Sequence, residues 1–280
     1  MSTAGAPAIP LPLRVIPPLR VGRGRARLLV ERNVVAYRRG WIFLVSGFFE
    51  PLFYLFSMGF GVGALIGNVP LDDGRSVPYA VFVAPALLAS SAMNGAIYET
   101  SNNFFYKLKY ARLYDAVIST PMSLADVAMG EILWALLRGS LYAIGFLAVI
   151  GVVGLTGLGL LASPLGLLAF PAAMVVGFGF AGAGMAATTF VRRWQDFDFM
   201  QLAIMPMFLF SGTFYPIAAY PAGLQLIIQA TPLYRGVHLI RALTTGTPDG
   251  LLVLDLVYLI AMGLIGLAIT SRRLQKLLSA

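Results

Sequence analysis

Apolar runs near twenty residues long recur along this chain, and a water-soluble domain has no place for several of them. Crossing about 30 Å of hydrocarbon takes about 20 helical residues, so each run reads as a transmembrane helix. The sequence is 59% hydrophobic and only 11% charged, with a mean hydropathy of +0.82, whereas ordinary globular domains carry about 25% charged residues. The excess belongs to spanning helices. Six are expected, at about 41–66, 79–97, 124–153, 165–191, 199–215 and 251–271, giving an all-α membrane protein. A flexible proline-rich tail over 1–23 precedes a membrane domain over 24–271, and 272–280 forms a short C-terminal tail.

The formal charge of +8 does not point to nucleic acid, because the basic residues sit beside apolar runs, as topology signals do. Of twenty basic residues, sixteen lie in residues 1–40, the Tyr98 loop, the Arg192 loop and the C-terminal tail, against Arg75, Arg235 and Arg241 on the opposite face and Arg138 inside a span. The positive-inside rule then places both termini and the Tyr98 loop in the cytoplasm. Without cysteine there is no thiolate chemistry, and a single histidine, His238, excludes a histidine metal cluster. No GxxxxGK[ST], G-x-S-x-G or HExxH motif occurs, so no catalytic, cofactor-binding or metal site is expected and ATP has no P-loop to bind.

Between the second and third spans lies a polar and aromatic island, Tyr98 to Pro121, too polar to cross hydrocarbon. At 100° per residue Tyr106, Tyr110, Leu113, Tyr114 and Val117 form one stripe, while Phe104, Phe105 and Leu108 fall off it. A single helix with apolar material on two sides is the expectation, suited to packing on its own bundle and on a second protein. Thr120 before Pro121 stops it, and Ser123 with Asp126 reads as a capping box for the next helix. From Gly24 to Gly40 apolar and arginine residues alternate, as in a basic helix lying along a membrane surface.

Besides Asp126 in the capping box, four charged residues fall within the expected spans: Glu50, Glu131, Arg138 and Asp255. A carboxylate at mid-membrane costs about 2.5–3.5 kcal/mol on insertion scales, so each needs a partner or a wet cavity. For Glu50 both an inter-helix bond and a direct role in transport are open. Glu131 and Arg138, seven residues apart on nearly one face, each call for a partner on another helix. Pro51 and Pro85 are expected to bend or interrupt their spans. The GFGFAGAG run at 177–184 offers surfaces for close helix approach. From Pro216 to Gly246 no full span fits, and short amphipathic helices are expected there, with His238 as an interfacial polar residue.

In order along the chain, the basic N-terminal segment, STPMSLADVAMGE at 119–131, and FLFSGTFYPI followed by TPLYRGVHLIRAL resemble the permeases of type-2 ATP-binding-cassette exporters. FFEPLFYLFSMGFGVG at 48–63 and SAMNGAIYET at 91–100 are most similar to the nodulation-type lipo-oligosaccharide exporter permeases. The resemblance implies a permease dimer bound to separate ATPase subunits that hold ATP and Mg2+. It implies a coupling helix in the island, with Phe104, Phe105, Lys107 and Leu108 followed by Tyr110, Arg112, Leu113 and Tyr114 as docking residues. Gly24–Gly40 would be the interface helix, and Pro216–Gly246 the outer helices. An amphipathic substrate, whether glycolipid, lipo-oligosaccharide or drug-like molecule, would pass Phe53, Tyr54, Met58, Phe208 and Phe210. An ion-coupled carrier and a non-transporting membrane scaffold are the alternatives.

Overall fold

A computed structural model describes residues 25–38, 49–71, 73–120, 122–154 and 163–278. The expected tail over 1–23, the first part of the first span, Pro121 and most of the 154–164 loop lie outside the described residues. Ten helices and one small hairpin are described: α1 (Ala26–Tyr37), α2 (Phe49–Ile66), α3 (Tyr79–Lys109), α4 (Leu113–Ile118), α5 (Leu124–Val153), α6 (Ala169–Thr188), α7 (Phe197–Phe210), α8 (Ala222–Ala230), α9 (Pro232–Thr245) and α10 (Leu251–Leu278). A 3-10 turn, Pro164–Leu168, leads into α6. Strands β1 (Asn68–Pro70) and β2 (Ser76–Pro78) pair antiparallel around Gly74, where the notional loop between the first two spans was expected.

Among the described residues five helices are long and apolar enough to cross a membrane: α2, α3, α5, α6 with its 3-10 turn, and α10. The expected span at 199–215 forms instead as the 14-residue α7, about 21 Å of helix, short of the hydrocarbon thickness. It stops because Gly212 takes a left-handed φ of 68°. The freed backbone is satisfied by protein, since the Arg241 guanidinium donates to the Gly212 carbonyl at 2.7 Å and the Phe82 carbonyl at 3.2 Å. Irregular backbone at membrane depth persists where such donors are supplied.

Helix α3 is the axis of the bundle. Residues 79–90 are all buried, and Ala80, Ala84, Ala86, Ala89 and Ala92 keep its girth small enough for neighbours on every side. The interruption expected at Pro85 does not occur, because proline removes one donor and this tightly enclosed helix continues through it. Nor does the helix end at Ile97: it runs on through a π-helical turn, Glu99–Asn103, into the island. The Thr100 and Ser101 hydroxyls bond back to the Ala96 and Ile97 carbonyls, taking up acceptors that the wider turn loosens.

The glycine run packs as expected. An added Cβ at Gly182 would strike the Gly263 backbone, and one at Gly266 would strike Gly182, so α6 and α10 touch main chain to main chain. Gly130 does the same for α1, whose Ala26 carbonyl and Leu29 lie against it. The capping box at Ser123 and Asp126 is present, with Asp126 N–H donating to the Ser123 hydroxyl at 3.1 Å. Replacing Gly182 with Ala is expected to lower stability by about 1–3 kcal/mol through overpacking against backbone that cannot rotate away. The Gly139→Ala control, where nothing lies within 4 Å, is expected to be neutral or stabilising in the same detergent unfolding assay.

Candidate functional site

Two acids and two bases meet where the island joins the bundle. Glu99, at the start of the π turn, accepts from Arg138 Nη1 at 2.6 Å, Asn103 Nδ2 at 2.8 Å and Trp134 Nε1 at 2.9 Å. Glu131 accepts from Lys107 Nζ at 2.6 Å, the Tyr114 hydroxyl at 2.9 Å and Asn33 Nδ2 at 3.3 Å. Lys107 Nζ lies 4.0 Å from Glu99, closing an alternating chain Arg138–Glu99–Lys107–Glu131. Both carboxylates are buried, and their lone pairs are filled by charged and neutral donors, which is what makes such burial tolerable.

The members come from four helices. Glu131, Trp134, Arg138 and Tyr142 are one stripe of α5, at i, i+3, i+7 and i+11. Glu99, Asn103 and Lys107 follow one another at four-residue intervals along α3, Asn33 comes from α1, and Tyr114 from α4. Thus one neutral cluster ties four helices. Tyr114 is fully buried, and burial holds its hydroxyl well above the usual tyrosine range. The Tyr37 hydroxyl is pushed up to about 12 by burial and then by the Glu99 carboxylate. Both therefore act as neutral donors or acceptors.

The island is not one helix. Helix α3 ends at Lys109, and Arg112 adopts a left-handed φ of 44° before α4 begins, so the stripe from Tyr106 to Val117 does not continue in phase. Of the residues expected to dock, Phe104, Phe105, Lys107, Leu108 and Tyr114 are buried within the chain. Tyr110 and Arg112 are exposed and Leu113 is half-buried, with Tyr106, Lys109 and Asp115 on the same open surface. Tyr110 stacks on Trp194 at 5.9 Å, and Phe105 meets both Trp194 and Phe197 edge-on, so the island and the Arg192 loop form one aromatic patch.

Beside this cluster a cavity of about 640 Å³ opens between α2, α3, α5 and α7. Arg138, Tyr37 and Asn103 belong to its wall and to the ion network at once. Tyr54 and Phe208, edge to face at 5.7 Å, line it together with Glu50, whereas Phe53 and Phe210 point out of the bundle and Met58 is half-buried away from it.

At the opposite end Asp255 is fully buried and accepts from Arg235 Nη1 at 3.2 Å, with His238 Nδ1 2.6 Å away. His238 Nε2 lies 3.4 Å from Asp249, so the imidazole stands between two carboxylates, and its pKa is raised chiefly by the Asp255 hydrogen bond, against burial. The histidine expected as an isolated interfacial residue is an ion-cluster member. Asn33, Glu99 and Trp134 were not marked by sequence reasoning at all. The signal available was the polar i, i+4, i+8 row of Glu99, Asn103 and Lys107, hidden because the second span is expected to end at Ile97 and the island helix is phased on its aromatic stripe.

Residues 25–244 match the family described as ABC-2 type transporter. The chain is 31% identical to Nodulation protein J of Rhizobium leguminosarum bv. viciae over 88% of its length and 93% of that protein. Nodulation protein J of Sinorhizobium fredii is 31% identical over 79% of this chain and 81% of its own length. The counterpart from Rhizobium leguminosarum bv. trifolii is 32% identical over 78% and 80%.

Lys107→Met removes the cation between two buried carboxylates and is expected to cost about 3–5 kcal/mol in detergent unfolding. Adding Glu131→Gln to that variant is expected to recover more than half of the loss. For His238, a raised folded pKa means its ionic contribution is complete below the unfolded value of about 6.5 and is lost as pH rises through the folded value. As the sole histidine, it is expected to give a single NMR titration with a midpoint above about 6.5, falling in Asp255→Asn.

Proposed function

This chain belongs to the ABC-2 type transporter family, and from that membership we propose that it is the membrane-spanning half of an ATP-driven exporter, working as a dimer of permeases. As a permease of this family it is a transport subunit without an ATPase site of its own. ATP and Mg2+ are held by a separate ATP-binding-cassette subunit, and an amphipathic molecule such as a glycolipid, a lipo-oligosaccharide or a drug-like compound is moved outward.

In this reading the chain crosses the inner membrane six times, α7 with its following segment serving as the fifth crossing, and both termini face the cytoplasm. The charge asymmetry supports that orientation, with Arg75, Arg235 and Arg241 alone on the hairpin side. Helix α1 lies along the inner surface, and α8 and α9 rest at the outer one. The ATPase docks on the open aromatic and basic surface of Tyr106, Lys109, Tyr110 and Arg112. The buried island residues Phe104, Phe105, Lys107, Leu108 and Tyr114 connect that surface to the bundle, with Leu113 at its edge.

The observation that carries the proposal is the double membership of Arg138. It pairs with Glu99 in the island joint and forms part of the cavity wall. Nucleotide-driven movement of the ATPase would tilt the island as a rigid piece, because a buried ionic joint has few alternative geometries, and the cavity wall would move with it. Co-purification with the cognate ATPase tests this. Tyr106→Asp with Tyr110→Asp is expected to weaken the complex at least tenfold and abolish substrate-stimulated ATP hydrolysis while the permease still folds. Retention of both partner and coupled activity would sink the docking assignment.

A further inference from the structure

Among the described residues, the cavity lining holds one charge that has no partner. Arg138 on its wall is bound to Glu99 at 2.6 Å and to the Tyr142 hydroxyl at 2.8 Å, so its positive charge is already matched. Glu50 is different. It is exposed on α2, lines the same cavity, and among the described residues it has no ion pair or hydrogen bond. The polar groups sharing the wall with it, Asn94, Asn102 and Gln201, are neutral amides. Tyr54, Leu87, Ile204 and Phe208 supply the apolar part of the same lining, Tyr54 one turn from Glu50 on α2.

A carboxylate within an apolar helix costs about 2.5–3.5 kcal/mol to insert unless water or a counter-charge meets it. Among the described residues that compensation is left to whatever enters the cavity. A cation there would meet the carboxylate beside the edge-to-face pair of Tyr54, one turn further along α2, and Phe208, and both the charge and the aromatic rings favour it. The apolar wall would take up a hydrophobic body attached to it. A volume of about 640 Å³ suits a drug-sized amphiphile or the head and first carbons of a lipid.

We infer that this cavity is a binding site for cationic amphiphiles, with the Glu50 carboxylate as counter-charge and the Tyr54–Phe208 pair as the apolar wall. The inference rests on the exporter reading for its meaning, since it narrows the substrate class of that permease. It requires a positively charged or ammonium-bearing head. Anionic amphiphiles are disfavoured by the same carboxylate, and neutral ones gain nothing from it.

The test is equilibrium binding of rhodamine 6G, a fluorescent cationic amphiphile, to the full chain in detergent by anisotropy. The anionic 8-anilinonaphthalene-1-sulfonate serves as the comparison. Saturable rhodamine binding, weakened at least tenfold by Glu50→Gln and less by Glu50→Asp, with the anionic probe unweakened by Glu50→Gln, is the expected result. Unchanged rhodamine affinity in Glu50→Gln, or equal weakening of both probes, would overturn it. Should Glu50→Gln fail to fold, Asn94→Trp decides, since filling the cavity beside an intact carboxylate is expected to abolish rhodamine binding and unchanged binding overturns the site. ATPase co-purification is read separately. Its loss in the docking variant bears on the exporter reading, whereas absent probe binding with an intact ATPase complex rejects only this site.

Discussion

A charge buried without a partner is so costly in a membrane protein that the pairing of Glu99, Lys107, Glu131 and Arg138 governs much else in this one. The four charges cancel between two helices, α3 and α5, and α1 and α4 complete the cluster with the neutral donors Asn33 and Tyr114. Helix α3 has to continue past the apolar zone to deliver Lys107, α5 has to present its polar stripe inward, and α1 has to lie close enough for Asn33 to reach Glu131. The π turn at Glu99–Asn103 is part of the same constraint, because it sets the rotation at which Glu99 and Lys107 both face α5. Removing one charge leaves its partner stranded, so the cluster specifies geometry more than it adds net stability.

Close packing of backbone complements this ionic joint. Between helices in lipid there is little hydrophobic driving force, and contact depends on how near the main chains can come. Gly179 and Gly182 on α6 against Gly263 and Gly266 on α10, and Gly130 on α5 against α1, provide that approach. The bundle is therefore rigid where small residues meet and where charges cancel. It is open beside α2 and α7, whose outer faces are largely exposed and whose inner faces line the cavity. Rigid body and open flank adjoin at Arg138, which is where a movement of the island would reach the cavity.

The two ends of the molecule use ions differently. At the island end the cluster is sealed by Trp134, Tyr37 and Tyr114. At the hairpin end Asp255 is sealed, but its partner His238 lines a second cavity of about 540 Å³ together with Asp249. Arg241 lies over the Phe82 ring at 3.9 Å while donating to the Phe82 and Gly212 carbonyls, so here a basic residue satisfies backbone past the end of α7.

Membrane residence, the helical class, the capping box at Ser123 and the close-packing role of the 177–184 glycines were all legible from the chain, because each depends on local length, apolarity or spacing. The need of Glu131 and Arg138 for partners was legible too, since desolvation makes it obligatory. Their partners were not: Glu99 and Asn33 are distant in sequence, and only the packing of α1 and α3 on α5 selects them. The extent of the island helix was misjudged for the same reason. A polar stretch reads as separate from the preceding span until tertiary neutralisation allows one helix to run through it. Membrane class thus follows from the sequence by itself, through the cost of polar groups in hydrocarbon, and the family follows from the order of its motifs. Which charges pair, where α7 stops and which face of Glu50 meets a cavity were decided only by the assembled bundle, because those energies exist only between elements already in contact.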